Sequence, residues 1–345
     1  MGCSDAVLAS SNAPFQTAVG RRAAFPPEAP HPEPTRALNS AAPMKLGPET
    51  SGYFALADGR QLYWRKLMPQ GTPKATMMFF HGYGDHSSFH LVQTAREYVS
   101  ALGVVALLVD QPNHGMSDGV QALIRSWAEH LDAMEEFCDG PGEAAREAPD
   151  GKKLQIFAYG ASMGGALLID LCLRKPDRFS GVILTAPMVR IKAETRPKPV
   201  VESFLRHVIC RIPLVRDMAL VPNDNFFEAI YSENWRLEEH RGNALNYSGP
   251  TRLITGLNLI DASDGIAARM EELQTPFLVI HGTADVTTDS SLSVELHQRA
   301  GASDKTLELV EGARHGIDFG EVPEIHARVY ATKFAWIKLR LKPPA

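Results

Sequence analysis

The sequence predicts an α/β fold with a mostly parallel central sheet, helices on both of its faces, and a mostly helical insertion late in the chain. Short continuous apolar runs recur along the sequence, as expected for strands buried on both faces of a parallel sheet. Helix-like segments separate these runs, and this alternation is typical of α/β proteins. In contrast, the roughly ninety residues between Pro187 and Pro276 contain no convincing strand of the main sheet.

The composition is ordinary for a soluble globular protein. The chain has 345 residues, of which 44% are hydrophobic and 22% charged, and its formal net charge is −5. This balance gives no reason to expect a nucleic-acid partner. The cysteines show no metal-ligand spacing and suit a reducing compartment, so we expect a cytoplasmic protein without metal or other cofactor. No apolar run reaches the length of a membrane span.

The first 44 residues are predicted to be a disordered extension. They are rich in Pro and Ala and cannot bury enough apolar surface to offset the entropy lost on ordering. Two alternatives remain open. Gly2 and Cys3 stand where N-myristoylation and palmitoylation occur, although Ala6 departs from the Ser or Thr of that motif. The pair Arg21–Arg22, with the Ala and Ser content, would also suit a transit peptide.

The elements of the remaining domain, residues 45–345, follow in order. Two strands flank an Asp58–Gly59 turn, which is a hairpin signal. Six further strands are predicted at residues 75–80, 104–110, 154–159, 181–187, 277–282 and 306–312, and helices at 88–101, 121–138, 164–175, 290–300 and 323–340. The interval after the sixth strand, about residues 188–275, is predicted to be a helical cap subdomain.

One serine lies between the end of a predicted strand and the start of a predicted helix. Ser162 stands between Gly160 and Gly164 in a G-x-S-x-G pattern, which is typical of the nucleophile elbow of α/β-hydrolases. The glycines allow a tight turn and close packing of the helix. The helix N-terminus adds partial positive charge beside developing negative charge. The alternative is a simple turn with a helix-capping serine.

A catalytic serine needs a base and a carboxylate that orients the base. Asp285 follows the seventh predicted strand and His315 follows the eighth, in the chain order that α/β-hydrolases use. Because carboxyl ends of parallel strands share one edge of a sheet, we expect Ser162, Asp285 and His315 to be the catalytic residues. Asp289 is the alternative carboxylate, and His281, inside a strand, is expected to be structural.

The loop after the third strand, "HGYGDHSS", is predicted to supply half of the oxyanion hole. The two donors are expected to be the backbone N–H groups of Tyr83 and Met163. The predicted substrate-binding residues of this loop are His81, Gly82 and Gly84. We expect His81 and His86 to brace the loop rather than to transfer protons.

Together, the motifs "HGYGDHSS", "DQPNHGMSDG", "YGASMGGA", "LTAPM", "HGTADVTTD" and "EGARHG" resemble the monoglyceride lipase family, a lysophospholipase-like group of serine α/β-hydrolases. The resemblance spans about residues 45–338, and "HGYGD" looks most like the plant-type members. It implies the α/β-hydrolase fold and places the family's catalytic and oxyanion residues on the positions given above. Ala161 departs from the His or Glu that family members often carry, and the cap matches least.

The resemblance implies hydrolysis of monoacylglycerol to fatty acid and glycerol through an acyl-enzyme. A lysophospholipase, a caffeoyl-type aromatic ester hydrolase or an acyltransferase would use the same chemistry. A non-catalytic hydrolase-fold binding protein is the alternative from a different class, but it would not need to keep all three catalytic positions. The apolar residues of the cap are expected to line the acyl site or pack the cap core, and contact with a membrane surface is a further expectation.

Overall fold

The computed structural model describes residues 17–24, 45–148, 151–191, 196–222 and 226–341. Its strands are β1 Leu46–Ala55, β2 Gln61–Pro69, β3 Thr76–Phe80, β4 Val105–Val109, β5 Ile156–Ala161, β6 Gly181–Thr185, β7 Ala219–Val221, β8 Thr251–Arg252, β9 Phe277–Gly282 and β10 Lys305–Val310. The main sheet has the order β1-β2-β4-β3-β5-β6-β9-β10. It is antiparallel where β2 pairs with β1 and β4, and parallel at the other pairings.

The α-helices of the described residues are α1 Ala18–Ala24, α2 His90–Leu102, α3 Trp127–Phe137, α4 Met163–Arg174, α5 Pro199–His207, α6 Pro213–Arg216, α7 Phe226–Ile230, α8 Asn234–Gly242, α9 Leu253–Ala268, α10 Ser290–Arg299 and α11 Pro323–Lys338. Helices α3, α4 and α9 pack on one face of the main sheet, and α2 and α11 pack on the other. The predicted α/β fold with a mostly parallel sheet is therefore confirmed.

Alternation along the central strands explains why their sequences are apolar throughout. Met78 and Phe80 of β3 belong to the core cluster that includes side chains of α3, α4 and α9. Met77 and Phe79 belong to the cluster on the other face, with side chains of α2 and α11. Successive residues of a strand point to opposite faces, so a strand covered on both sides has no polar face.

Helix α3 begins later than the sequence predicts. The predicted segment starts at residue 121, whereas the helix begins at Trp127. Ser126 is extended, and its side chain accepts a hydrogen bond from the backbone N–H of Glu129. A serine cap that satisfies a free N–H of the first turn defines this start.

The interval between β6 and β9 is mostly helical and also contains the small ladder of β7 and β8, which is separate from the main sheet. Its last helix, α9, is attached to the main domain. The Thr255 hydroxyl accepts a hydrogen bond of 2.8 Å from Ile124 N–H, and the Asn258 side-chain oxygen accepts one of 3.1 Å from Trp127 N–H. The end of the predicted cap thus packs with α3 of the main domain.

Helix α1 lies within the extension that the sequence predicts to be disordered. Arg21 is buried, and its guanidinium donates to the carbonyl oxygens of Gly115, Ser117 (2.7 Å) and Gly119 (3.2 Å). Composition carries no signal for such contacts, because the partners lie 94 to 98 residues away in sequence. The other predictions for the first 44 residues, including modification of Gly2 or Cys3, fall outside the described residues.

Candidate active site

The carboxyl edge of the main sheet gathers the residues that the sequence singles out. His81 follows β3, Ser162 follows β5, Asp285 follows β9, and His315 follows β10. The strands that carry them are parallel, so these ends lie on the same edge. Ser162 and His315 line a common cavity together with Tyr83.

The turn at Ser162 has the strained geometry of an elbow. Ser162 adopts φ 53° and ψ −119°, a backbone conformation that residues other than glycine rarely adopt. The neighbouring glycines are required by contact: a Cβ at Gly160 would lie 2.4 Å from the Gly164 oxygen, and a Cβ at Gly164 would lie 2.3 Å from the Phe80 oxygen. The strand, the turn and the helix therefore pack too closely for any larger residue.

Asp285 and His315 form a direct hydrogen bond. His315 Nδ1 lies 2.7 Å from Asp285 Oδ2, and both side chains are buried. The other carboxylate oxygen, Oδ1, accepts from the backbone N–H groups of Thr287 (2.7 Å) and Thr288 (3.0 Å). These bonds orient the carboxylate. The carboxylate bonds Nδ1 of His315 and does not bond Nε2.

The carboxylate has two further neighbours. His281 Nε2 lies 3.0 Å from Asp285 Oδ2, and Thr288 Oγ1 lies 2.9 Å from the same oxygen. Burial by itself would raise the pKa of Asp285, but the charge of His315 and the hydrogen bonds from His281 and His315 outweigh it and hold the pKa well below its usual range. Asp285 therefore stays ionised at neutral pH.

Asp289, the alternative carboxylate, has a different environment. It is the N-cap of α10, and its side chain accepts a hydrogen bond of 2.9 Å from Ser291 N–H. A side chain used in this way satisfies a free N–H of the first helical turn. The carboxylate that contacts His315 is that of Asp285.

The loop after β3 comes close to Ser162. A Cβ at Gly82 would lie 3.8 Å from the Ser162 hydroxyl oxygen. Neither Tyr83 N–H nor Met163 N–H donates a hydrogen bond to another described residue. Gly84 has φ +77° and packs against the cap, since a Cβ there would lie 2.7 Å from the Tyr247 oxygen. The tight approach and the free amides are what an oxyanion hole requires.

The His81 ring is buried within this loop. Its Nδ1 lies 2.8 Å from the Gly82 oxygen, and its Nε2 accepts from Gln111 N–H at 3.0 Å. Burial lowers the pKa of His81 to about 3, so the ring is neutral at physiological pH. One ring nitrogen bonds to this loop and the other to Gln111, which follows β4, so the neutral ring braces the loop.

Two cavities of unequal size meet at Ser162. The larger has a volume of about 600 Å³ and runs beneath the interval between β6 and β9. Its apolar lining includes Met188, Ile191, Leu205, Leu253, Leu257 and Ile260. The smaller has a volume of about 60 Å³ and a mixed lining, in which Leu91, Phe227 and Phe319 stand beside the polar side chains of Asp85, Tyr231 and His240.

Sequence reasoning missed several residues around this site. Thr288 was not singled out, although a Thr three positions after an Asp suits the local side-chain-to-backbone bonding that Asp favours. His281 was expected to be structural, and it contacts Asp285 directly. Gln111 and Asp85 were given no role of their own, and the partners of the Gln111 side chain lie 19 to 30 residues away in the sequence.

The family comparison covers most of the chain. Residues 71–321 match the hydrolase family described as serine aminopeptidase, S33. Human monoglyceride lipase is 27% identical over 308 residues, covering 86% of this chain and 93% of that protein. Caffeoylshikimate esterase of Arabidopsis thaliana is 24% identical over 295 residues, covering 85% of this chain and 86% of that protein.

Solved structures share the fold. The monoacylglycerol lipase of Paleococcus ferrophilus has a TM-score of 0.65 at 22% identity, covering 81% of this chain and 99% of that chain. A soluble variant of monoglyceride lipase from Saccharomyces cerevisiae, solved with a substrate analog, has a TM-score of 0.69 at 17% identity, covering 90% of this chain and 99% of that chain. At these identities the comparison shows the α/β-hydrolase fold.

Proposed function

The chain belongs to the serine aminopeptidase S33 family of hydrolases, and from this premise we propose that it is a serine ester hydrolase that cleaves monoacylglycerol to fatty acid and glycerol. The observation that carries the proposal is the pair of unequal cavities that meet at Ser162. A monoacylglycerol has one long apolar part and one small polar part, joined at the ester. Relatives that carry the name monoglyceride lipase support the same substrate class.

The larger cavity suits the acyl chain. Its volume of about 600 Å³ falls within the range of about 300–1,000 Å³ that small-molecule sites usually have. Its lining is mostly apolar, and an acyl chain needs no bond to the polar residues there, such as Arg190 and Asp289. Each methylene buried there contributes about 0.8 kcal/mol, so chain length alone can supply affinity.

The smaller cavity suits the glycerol. Asp85 and Tyr231 bring a carboxyl and a hydroxyl to its wall, and His315 lies at the same cavity. Groups of this kind can bond to the hydroxyls of a small alcohol. No lysine or arginine is among the described residues that line this cavity, so a phosphorylated headgroup would find no cationic side chain there. This supports glycerol over a phosphorylated headgroup.

In the proposed mechanism, Ser162 Oγ attacks the ester carbonyl while His315 Nε2 takes the hydroxyl proton. Asp285 holds Nδ1–H of His315 at 2.7 Å and stabilises the imidazolium. The N–H groups of Tyr83 and Met163 bind the oxyanion, and each such donor is worth roughly 10²–10³ in rate. His315 then protonates the leaving glycerol oxygen, and water, deprotonated by the same ring, releases the fatty acid from Ser162.

We also propose that the protein contacts a membrane surface through α5. Val200 (82% exposed), Phe204 (53%) and Val208 (48%) follow one another at intervals of four residues, so they share one face of the helix segment. On the same helix, Leu205 lines the large cavity. Among the described helices, none has the length and apolar character needed to cross a bilayer. Contact through α5 would place the cavity next to a lipid source.

The experiment that tests the hydrolase proposal is release of oleate from 2-monooleoylglycerol by the purified protein and by Ser162→Ala. We expect release by the wild type and a loss of at least about 10⁴-fold in the variant. Ser291→Ala is the control, because Ser291 is an exposed serine in the first turn of α10. It should retain wild-type activity.

The alternatives give different outcomes in the same assay. Release from lysophosphatidylcholine or from a caffeoyl ester, with none from 2-monooleoylglycerol, would contradict the substrate assignment and keep the chemistry. No release from any ester by a folded protein would favour the non-catalytic alternative.

A further inference from the structure

The tautomer of His81 follows from its partners. Gln111 N–H donates to His81 Nε2 at 3.0 Å, so this nitrogen carries no hydrogen. In a neutral ring the hydrogen then lies on Nδ1, which donates to the Gly82 oxygen at 2.8 Å. The ring is fully buried, and no water competes for these bonds.

The bond to the Gly82 oxygen also sets the direction of Tyr83 N–H. Both groups belong to one peptide unit, and in a trans peptide the C=O and the following N–H point to opposite sides. A donor that holds the oxygen on one side therefore directs the N–H to the other. The unit lies against the nucleophile, because a Cβ at Gly82 would contact Ser162 Cβ at 3.3 Å.

Gln111 holds His81 from a second direction. Its side-chain Nε2–H donates to the His81 backbone oxygen at 2.6 Å, in addition to the bond from its backbone N–H to the ring. The side-chain oxygen of Gln111 accepts from His130 Nε2–H at 2.9 Å. The His81 oxygen can only accept, so the amide turns its nitrogen toward that oxygen, and the bond from His130 satisfies the amide oxygen on the other side.

His130 is itself held in place. Its ring stacks on Trp127, with centroids 5.5 Å apart and planes at 11°. Gln111 and His130 are buried behind the loop, and neither is among the described residues that line the two cavities at Ser162. The hydrogen bonds of these side chains reach the site through His81.

We propose that Gln111 and His130 are positioning residues that aim the Tyr83 amide at the oxyanion, acting through His81. The inference rests on the proposed function, since it takes Tyr83 N–H to be an oxyanion donor. The chain of bonds runs from His130 to Gln111, to the His81 ring and backbone, and to the Gly82 oxygen. Each link is a hydrogen bond of 2.6 to 3.0 Å between buried groups.

The test uses His130→Phe, which keeps a ring against Trp127 and removes only the donor to Gln111. With p-nitrophenyl butyrate as substrate, we expect kcat to fall by about 10- to 100-fold and KM to stay within about twofold of the wild-type value. The loss in kcat should be smaller than the loss that follows complete removal of an oxyanion donor. Affinity for an alkyl trifluoromethyl ketone, whose adduct with Ser162 carries the oxyanion, should fall by a similar factor.

Two further variants separate positioning from mere stability. His130→Gln keeps an N–H donor for Gln111 and should recover most of the lost kcat. His114→Phe is the matched control, because His114 is another buried ring beside His81 (5.2 Å between centroids) whose Nδ1 bonds to the Pro112 oxygen and not to this chain. His114→Phe should keep kcat within about twofold of the wild-type value, although its Tm changes about as much as that of His130→Phe.

The outcomes distinguish this inference from the function on which it rests. Wild-type kcat and wild-type ketone affinity in His130→Phe would overturn the positioning role and leave the hydrolase proposal standing. So would equal losses in His130→Phe and His114→Phe. A folded wild-type protein that hydrolyses no ester would overturn both.

Discussion

At the scale of single residues, Ser162 shows how a strained conformation is maintained. Positive φ at a residue other than glycine costs roughly 1–3 kcal/mol, and it persists only where surrounding bonds determine it. Ser162 N–H donates to the Thr185 oxygen at 3.0 Å, and the Ser162 oxygen accepts from Gly165 (2.9 Å) and Met188 (3.0 Å). These bonds to β6, α4 and the following loop hold the hydroxyl at the edge of both cavities.

The two carboxyl groups near Ser162 differ because their donors differ. Asp285 accepts two backbone N–H groups and the ring of His315, and its pKa is held low. Asp85 is half-buried and accepts from His86 N–H at 2.8 Å. Burial raises the pKa of Asp85 to about 7, and the charge of Asp110 adds to this effect. Environment and not residue type decides which carboxyl is ionised.

This difference predicts how stability changes with pH. The folded protein keeps the Asp85 proton up to about pH 7, whereas the unfolded chain releases it near pH 4. Between these values the unfolded state binds fewer protons, so the free energy of unfolding of the wild type falls as pH rises. Asp85→Asn removes this contribution. At each pH, urea unfolding gives the free energy of unfolding of the variant and of the wild type. The variant's value minus the wild-type value should increase by about 2 kcal/mol between pH 5 and pH 8.

Asp58→Asn is the control for this measurement. Asp58 is exposed, and a hydrogen bond from the Arg60 backbone lowers its pKa. Asp58 is ionised in both the folded and the unfolded protein above pH 5. The change in free energy of unfolding caused by Asp58→Asn should therefore be the same at pH 5 and at pH 8. A constant difference between Asp85→Asn and wild type over the same range would contradict the raised pKa.

At the scale of elements, the start of α4 is defined by contact with β3. Gly164 lies in the first turn, and a Cβ there would lie 2.3 Å from the Phe80 oxygen and 2.6 Å from the His81 oxygen. Both atoms are backbone, so neither can move like the end of a side chain. The closeness of α4 to β3 brings Met163 N–H and the loop after β3 to the same place.

A pair of helical glycines tests this interpretation. Gly164→Ala should lower the free energy of unfolding by about 3 kcal/mol, since the added methyl forces backbone apart. Gly265→Ala should raise it by roughly 0.5–1 kcal/mol, because Gly265 is exposed in α9 with nothing within 4 Å of its added Cβ. Urea unfolding of both variants supplies the measurement. Equal effects would mean that α4 does not depend on a close approach to β3.

At the scale of the whole molecule, the interval between β6 and β9 has an inner and an outer apolar surface. The inner surface lines the large cavity, and the outer surface includes the exposed face of α5. A group of exposed apolar side chains on one helix is typical of an interaction surface, which is the basis for the proposed membrane contact. In that proposal, one short helix separates the acyl site from the membrane.

Membrane contact through α5 predicts that a substitution on its exposed face weakens vesicle binding without slowing hydrolysis of a soluble ester. Phe204→Asp should weaken binding to phosphatidylcholine vesicles by at least about 10-fold, because a Phe side chain contributes about 1.5–3 kcal/mol when buried. Hydrolysis of soluble p-nitrophenyl butyrate should change little, since Phe204 does not line the cavities at Ser162.

Leu339→Asp is the control for the vesicle measurement. Leu339 is 84% exposed and follows α11; the oxygen of the next residue, Arg340, accepts from Gln155, which precedes β5 and so lies at the edge of the sheet opposite Ser162. Co-sedimentation should therefore be unchanged in this variant. Equal loss of vesicle binding in both variants, or in neither, would argue against α5 as the contact surface.

Local pattern was sufficient for most elements of the fold. The central strands of the main sheet were predicted because burial on both faces makes them apolar throughout, and β1 and β2 were predicted from the Asp58–Gly59 hairpin signal. The start of α3 was misplaced by several residues, since apolar periodicity continues before the Ser126 cap. Helix α1 and the ladder of β7 and β8 were missed, because their stability comes from partners distant in sequence.

By itself, the sequence determined the order and the chemical types of the groups at the proposed site. A serine elbow, an aspartate and a histidine after successive strands must meet at one sheet edge once those strands are parallel. Only the tertiary structure decided what surrounds them: the two cavities at Ser162, the contact of His281 with Asp285, and the bonds from His130 through Gln111 to His81. A cavity or a buried side-chain bond depends on distances between residues far apart in the chain, and no local pattern encodes those distances.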